Sequence, residues 1–175
     1  EKEAFKTKYG YDLIPATTWE EYRDIAEFFT RPADRMYGHI CMPAPLSSMN
    51  DFHENLYTYG IPAAGVSVNR KATVKRGGRM DSDVAITWMK EFVELFPFSP
   101  PGVHTFAWEE SAGEFLSGRG AQAILWADSM ANTINPEISK VVGKVGCAPM
   151  PINPKYMIWN LPKQYGDMGT WAISA

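Results

Sequence analysis

Only two cysteines, Cys41 and Cys147, occur in 175 residues, so a disulfide framework cannot be what holds this chain together. No apolar stretch approaches the roughly 18 residues that span a bilayer. Basic residues are not in excess either: 17 Lys and Arg against 20 Asp and Glu give a net charge of -3 and a pI near 5.6. That balance argues against a nucleic-acid partner, because neutralising phosphates takes a cationic surplus.

Catalytic motifs are missing as well. There is no GxSxG elbow, no GxxxxGK[ST] phosphate loop and no HExxH pair, and the glycines of GRGAQA do not follow a strand as a dinucleotide fingerprint requires. His39, His53 and His104 stand alone, without the paired spacing of a zinc site, and read as surface or hydrogen-bonded core residues. Glu20 with Glu21, and Glu109 with Glu110, are adjacent pairs. Helix neighbours diverge by about 100°, so neither pair can converge on one sugar as the two carboxyls of a glycosidase must. No cofactor or metal is expected.

What is present is an ordinary globular composition, 45% hydrophobic and 21% charged, enough for one core or two small ones. Aromatics reach 13%, with six Trp. Large aromatic faces stack on the C–H faces of sugars, and they also fill cores. Cys41 and Cys147 lie in YGHICM and KVGCAPM, apolar runs that look like buried strands, so free core thiols are expected, with a single long-range disulfide as the alternative.

The pattern along the chain alternates helix and strand. Residues 1–8 read as the end of a helix stopped by Gly10. Thr18 with Glu21 three residues on forms a capping box, after which Trp19, Tyr22, Ala26 and Phe29 recur at helical spacing up to Pro32. Residues 36–42 form a strand-type run, and Asp51 can cap a helix reaching Tyr59. Residues 66–75 alternate before Gly77 and Gly78, as a surface hairpin would. That hairpin carries Arg70, Lys71, Lys75, Arg76 and Arg79: a solvated loop, or a dock for an anionic partner. Asp81 or Asp83 caps a helix with Val84, Trp88, Phe92 and Leu95 on one face, broken by FPFSPPG. A shorter helix covers 109–116, and strands cover 121–125, 144–148 and 170–174. This alternation implies an α/β architecture, a mixed sheet flanked by helices.

One carboxylate sits in an apolar setting. In ILWADSMA a strand runs out at Trp126 and a helical turn starts at Asp128. Asp128 is either an N-cap or an acceptor for ligand hydroxyls beside a Trp126 platform, and the carboxyl ends of strands in α/β sheets can host both roles. The rival reading makes Asp128 the catalytic carboxylate of a glycoside-hydrolase fragment.

The order of TTWEEYRDIAEFFT, NDFHENLYTYG, PPGVHTFAWEESAGEFLSGRGAQAILWADSMA, SKVVGKVGCAPMP and GTWAISA resembles family 1 extracellular solute-binding proteins of ABC importers. The likeness is to the maltose-binding-protein-like branch that serves sugars and sugar alcohols. It runs over nearly the whole chain, and 100–151 is its most specific part. The resemblance implies a type II periplasmic-binding-protein fold, two α/β lobes closing over a ligand at a hinge. Residues 1–168 would form most of the C-terminal lobe and residues 169–175 the hinge strand returning to the other lobe. The chain begins with Glu1 inside a helix-like stretch and stops in a strand-like run, so a piece of a longer protein is expected, without its signal peptide, N-terminal lobe and C-terminal helices.

Residue by residue, the resemblance puts Asp128 at or next to a ligand-contacting position. Trp108 falls in the GW-type segment before a helix, as a sugar-stacking platform, although Ala107 replaces the glycine. Trp171 matches the aromatic of the GW strand that re-enters the hinge, and Gly169 joins it in the expected site. Asn50 and Asp51 occupy the cleft loop where relatives often place a Tyr–Asp pair. Cys147 stands where relatives carry Tyr or Ala. The implied function is binding a carbohydrate or polyol for import, with no bond broken. Membrane permeases would receive the cargo, and the intact protein would be a monomer, periplasmic or a cell-surface lipoprotein.

Overall fold

The computed structural model describes residues 1–45, 59, 83–126 and 129–156, and the backbone of 169–174. The expected helix after Asp51 and the cationic hairpin lie outside them. None of the described helices is long and apolar enough to cross a membrane.

Helix α1 (Lys2–Tyr9) ends where Gly10 turns left-handed at φ 85° and its N–H reaches the Lys6 carbonyl, a conformation glycine takes without strain. Helix α2 (Trp19–Phe29) starts on the expected capping box. The Glu21 amide donates to Thr18 Oγ1 at 3.2 Å, while Glu21 Oε2 accepts from the Thr18 amide at 3.1 Å and the Thr17 amide at 2.7 Å. Burial pushes the Glu21 carboxyl up, but its bonds from Thr17 and Thr18 prevail and hold it below the usual range. The helix buries Trp19, Tyr22, Ile25 and Ala26. Phe29, expected inward, is half-buried and packs against the same core cluster, and Thr30 closes the helix, its hydroxyl donating to the Ala26 carbonyl at 2.7 Å.

The strand expected over 36–42 is reduced to isolated bridges, the antiparallel Arg31↔Met36 and the parallel Tyr37↔Gly120 and Ile40↔Ala123. Between the parallel bridges the backbone bonds elsewhere. The His39 amide donates to the Phe98 carbonyl at 3.1 Å and the Gly38 amide to Thr30 Oγ1 at 3.0 Å, so no ladder forms. Gly38 is required here: a Cβ would lie 1.8 Å from the Ala26 carbonyl oxygen.

Helix α3 (Asp83–Val93) buries Ala85, Trp88 and Phe92, and the Trp88 and Phe92 rings stack at 5.2 Å. Leu95 is buried just beyond its end, after which a single 3-10 turn at Phe96–Phe98 breaks the run. Helix α4 (Trp108–Leu116), strand β1 (Gln122–Trp126), the short helix α5 (Ser129–Thr133), strands β2 (Val145–Ala148) and β3 (Gly169–Ser174), and 3-10 turns at Pro32–Asp34 and Val103–Thr105 complete the described elements.

The sheet has the order β1-β3-β2. Both outer strands run antiparallel to β3, hence parallel to one another, and the bridged 37–40 segment runs parallel to β1 on its other side. Within the described three-stranded sheet both pairings are antiparallel, and the parallel part of the expected mixed sheet is limited to these isolated bridges. Strand side chains alternate between faces, and β1 serves two cores by that alternation. Ile124 joins the aromatic cluster of α1, α2 and α3, whereas Ala123 and Leu125 join Tyr37, Ile40, Phe115 and Val141.

Both cysteines are free thiols, and only Cys41 is buried. The expectation of a buried Cys147 is corrected: it sits on β2, an outer strand whose two central residues are exposed. There its Sγ lies 3.3 Å from Met130 Sδ.

His39 is fully buried, its Nδ1 2.7 Å from the Tyr22 hydroxyl. Burial pushes its imidazole down to about 3, against about 6.5 for an exposed histidine. As pH falls below 6.5 the unfolded chain takes up this proton and the folded chain does not. Stability should therefore decline from pH 6.5 toward 3, by up to about 1.4 kcal/mol per unit. His39→Asn, whose amide oxygen can replace Nδ1 toward Tyr22, should flatten that dependence. Urea titrations at pH 7 and pH 5 are expected to show the larger loss in the parent, and equal losses would contradict a buried neutral imidazole.

Candidate functional site

The register gathers several chain segments at one end of the sheet. Trp126, the last residue of β1, stands opposite Gly169, the first of β3, and β2 finishes at the same end with Ala148 opposite Trp171. This is the carboxyl end of β1 and β2, where open α/β sheets present ligands.

Helix α4 begins at this end too. Ala107 precedes it in extended conformation, and its amide donates to Glu110 Oε2 at 3.0 Å. An alanine offers no capping oxygen, so Glu110 supplies only the reciprocal half of a capping box. That start fixes Trp108 on the first turn. Its ring stacks on Trp126, with centroids 6.5 Å apart and planes at 24°, and its Nε1 donates to Ser129 Oγ at 3.2 Å. Both indoles are half-buried and pack on the core cluster of Phe115 and Leu125, together with Met130. Trp126 Nε1 is buried and has no hydrogen-bond partner among the described residues.

Of the expected site residues, the structure therefore brings Trp108, Trp126 and the backbone of Gly169 together. The backbone of Trp171 lies one step into the sheet, opposite Ile124 and Ala148. Asn50, Asp51 and Asp128 fall outside the described residues; Asp128 is bonded in sequence to Ser129, which holds the Trp108 indole. Sequence reasoning missed Ser129 itself. Its signal was a hydroxyl residue opening a helical turn directly after the Trp126 strand, and what it pairs with is visible only once α4 is in place.

Chemically, the described part of this site offers two stacked, electron-rich indole faces, an apolar platform. No group of three metal-ligating side chains is found among the described residues. A well-formed cavity lies elsewhere, between α2, α3 and residues 152–155.

No protein-family model matches the sequence. One curated relative, described as a probable amino-acid ABC transporter periplasmic-binding protein of Sinorhizobium fredii, is 32% identical over 71 residues, 40% of this chain and 16% of that protein. Among solved structures, an ABC transporter solute-binding protein of Agrobacterium radiobacter K84 in complex with ribitol superposes with a TM-score of 0.72 at 24% identity. One of Agrobacterium vitis S4 with bound D-mannitol gives 0.71 at 21%, and maltose-bound T. maritima MalE3 gives 0.69 at 24%. Each covers 99% of this chain, which spans 40–41% of their length. The chain thus has the fold of part of a periplasmic binding protein.

Removing the Ser129 hydroxyl strands the Trp108 indole N–H. Ser129→Ala should cost about 1 kcal/mol of stability, read by urea titration, and should speed solvent exchange of the Trp108 indole proton in NMR spectra. An unchanged exchange rate would contradict the bond.

Proposed function

We propose that these residues form most of one lobe of an ABC-importer solute-binding protein, and that the lobe's contribution to binding a neutral carbohydrate or polyol is the Trp108–Trp126 wall. The carrying observation is the indole stack at the carboxyl end of the sheet. Its fold is shared, over nearly the whole chain, with proteins solved holding ribitol, D-mannitol and maltose.

On this reading the indole faces bury the carbon faces of the ligand, while the carboxylates and amide of Asp128, Asp51 and Asn50 exchange hydrogen bonds with its hydroxyls. Gly169 lets the ligand approach the strand backbone, and Trp171 extends the aromatic surface. Residues 169–175 act as the strand returning to a second lobe. Closure of the two lobes, stabilised because the ligand touches both, distinguishes loaded from empty protein. The loaded form delivers its cargo to membrane permeases, from the periplasm or from a lipid anchor at the cell surface, as a monomer. No bond is broken; the glycoside-hydrolase reading draws no support from the relatives reported above.

The name of the curated relative favours a second ligand class, amino acids. A zwitterion needs paired charges, whereas the described wall is two neutral indoles. The polyol reading therefore leads. Thermal-shift screening of the intact protein should show sugars or polyols raising the melting temperature, since a ligand binding only the native state stabilises it. Trp108→Ala and Trp126→Ala should each weaken that binding on the order of tenfold. These 175 residues alone, with one wall of the cleft, should bind weakly or not at all by calorimetry. Stabilisation by amino acids and by no polyol would overturn the ligand class.

A further inference from the structure

A cavity of about 630 Å³ falls within the roughly 300–1,000 Å³ range of small-molecule sites and is not used by the tryptophan wall. It opens between the start of α2, the outer turns of α3 and the segment 152–155. That segment is tied to the helix start by the bridge Thr18↔Ile152.

Its apolar side is aromatic. Trp19 and Tyr59 lie 6.5 Å apart with planes at 30°, and Trp88 joins them in the lining. Its polar side converges on one carboxylate. Glu91 Oε2 accepts from the Tyr59 hydroxyl and from Asn153 Nδ2 at 3.4 Å, while Oε1 accepts no hydrogen bond among the described residues. Burial, followed by the bond to Glu91, raises the Tyr59 phenol above its ordinary range, so it remains a donor. Among the described residues the lining carries three carboxylates and three cations, and no net charge selects an ionic ligand.

We infer that this cavity is a second ligand site, taking one neutral sugar or polyol molecule apart from the Trp108–Trp126 wall. Trp19, at 8% exposure the least buried of the three rings, offers an apolar contact to the C–H side of such a ligand, and a carboxylate beside an amide suits adjacent hydroxyls, one accepting and the other donating or accepting. The segment lining it follows β2, and β3 separates β2 from β1. None of the described lining residues belongs to the Trp108–Trp126 wall. The inference rests on this lining and does not require the wall to bind.

The test is equilibrium dialysis of the intact protein with ribitol, D-mannitol and maltose, in the parent and in Glu91→Gln, Asn153→Trp and Trp108→Ala. Glu91→Gln keeps the shape and removes the charge; Asn153→Trp fills the space from a half-buried position and serves if the first variant misfolds. Two binding events are expected in the parent, one of them weakened at least tenfold by either cavity variant and unaffected by Trp108→Ala. A single event lost in both cavity variants but kept in Trp108→Ala would uphold the cavity and overturn the wall. A single event lost only in Trp108→Ala, or no binding of any probe, would overturn the cavity.

Discussion

Strand β1 is buried on both faces and bonded on both edges, and most of the described structure depends on that. Ile124 closes the aromatic core of the first three helices, while Ala123 and Leu125 close the core under α4. On one edge lies β3 in antiparallel register; on the other, the 37–40 segment bonds at two points. A continuous apolar run such as Ala-Ile-Leu is what a strand buried on both faces needs. The one polar residue facing inward, Gln122, is accommodated because its Nε2 donates to the Tyr22 carbonyl at 3.1 Å, tying β1 to α2. A charge placed at 123–125 would meet a core on either side, with no water to solvate it.

That burial also determines where ligand chemistry can occur. A strand covered on both faces exposes only its ends, and at the carboxyl end of β1 the buried run gives way to the half-buried Trp126. The start of α4 is set by Glu110, and Ser129 is the first residue of α5, so Trp108 is held on Trp126 by stacking and by one hydrogen bond. The platform is rigid for local reasons, and it faces solvent because α/β connections leave the strand ends open.

Local signals were legible wherever the physics was local. The Thr18–Glu21 box, the Gly10 stop and the strands near 122–126, 145–148 and 169–174 all follow from spacing or from short apolar runs. Trp108 and Trp126 were both marked as platforms, but their stacking depends on α4 starting beside the end of β1. The misses share a cause in tertiary structure. The run at 36–42 has strand composition, yet Phe98 and Thr30 draw off its amides. Cys147 lies in an apolar run, yet on an outer strand it faces solvent. The cavity beside Trp19 and Trp88 was invisible because helical spacing marks those residues only as inward-facing.

The central claim is that the carboxyl end of β1, braced by the starts of α4 and α5, is a ligand-binding wall. Hydrogen–deuterium exchange of the intact protein, with and without saturating polyol, tests it most directly. The account predicts slower exchange for the backbone amides of 108–111 and 126–130 when ligand is bound. Ligand-induced protection that leaves both segments unchanged would contradict it.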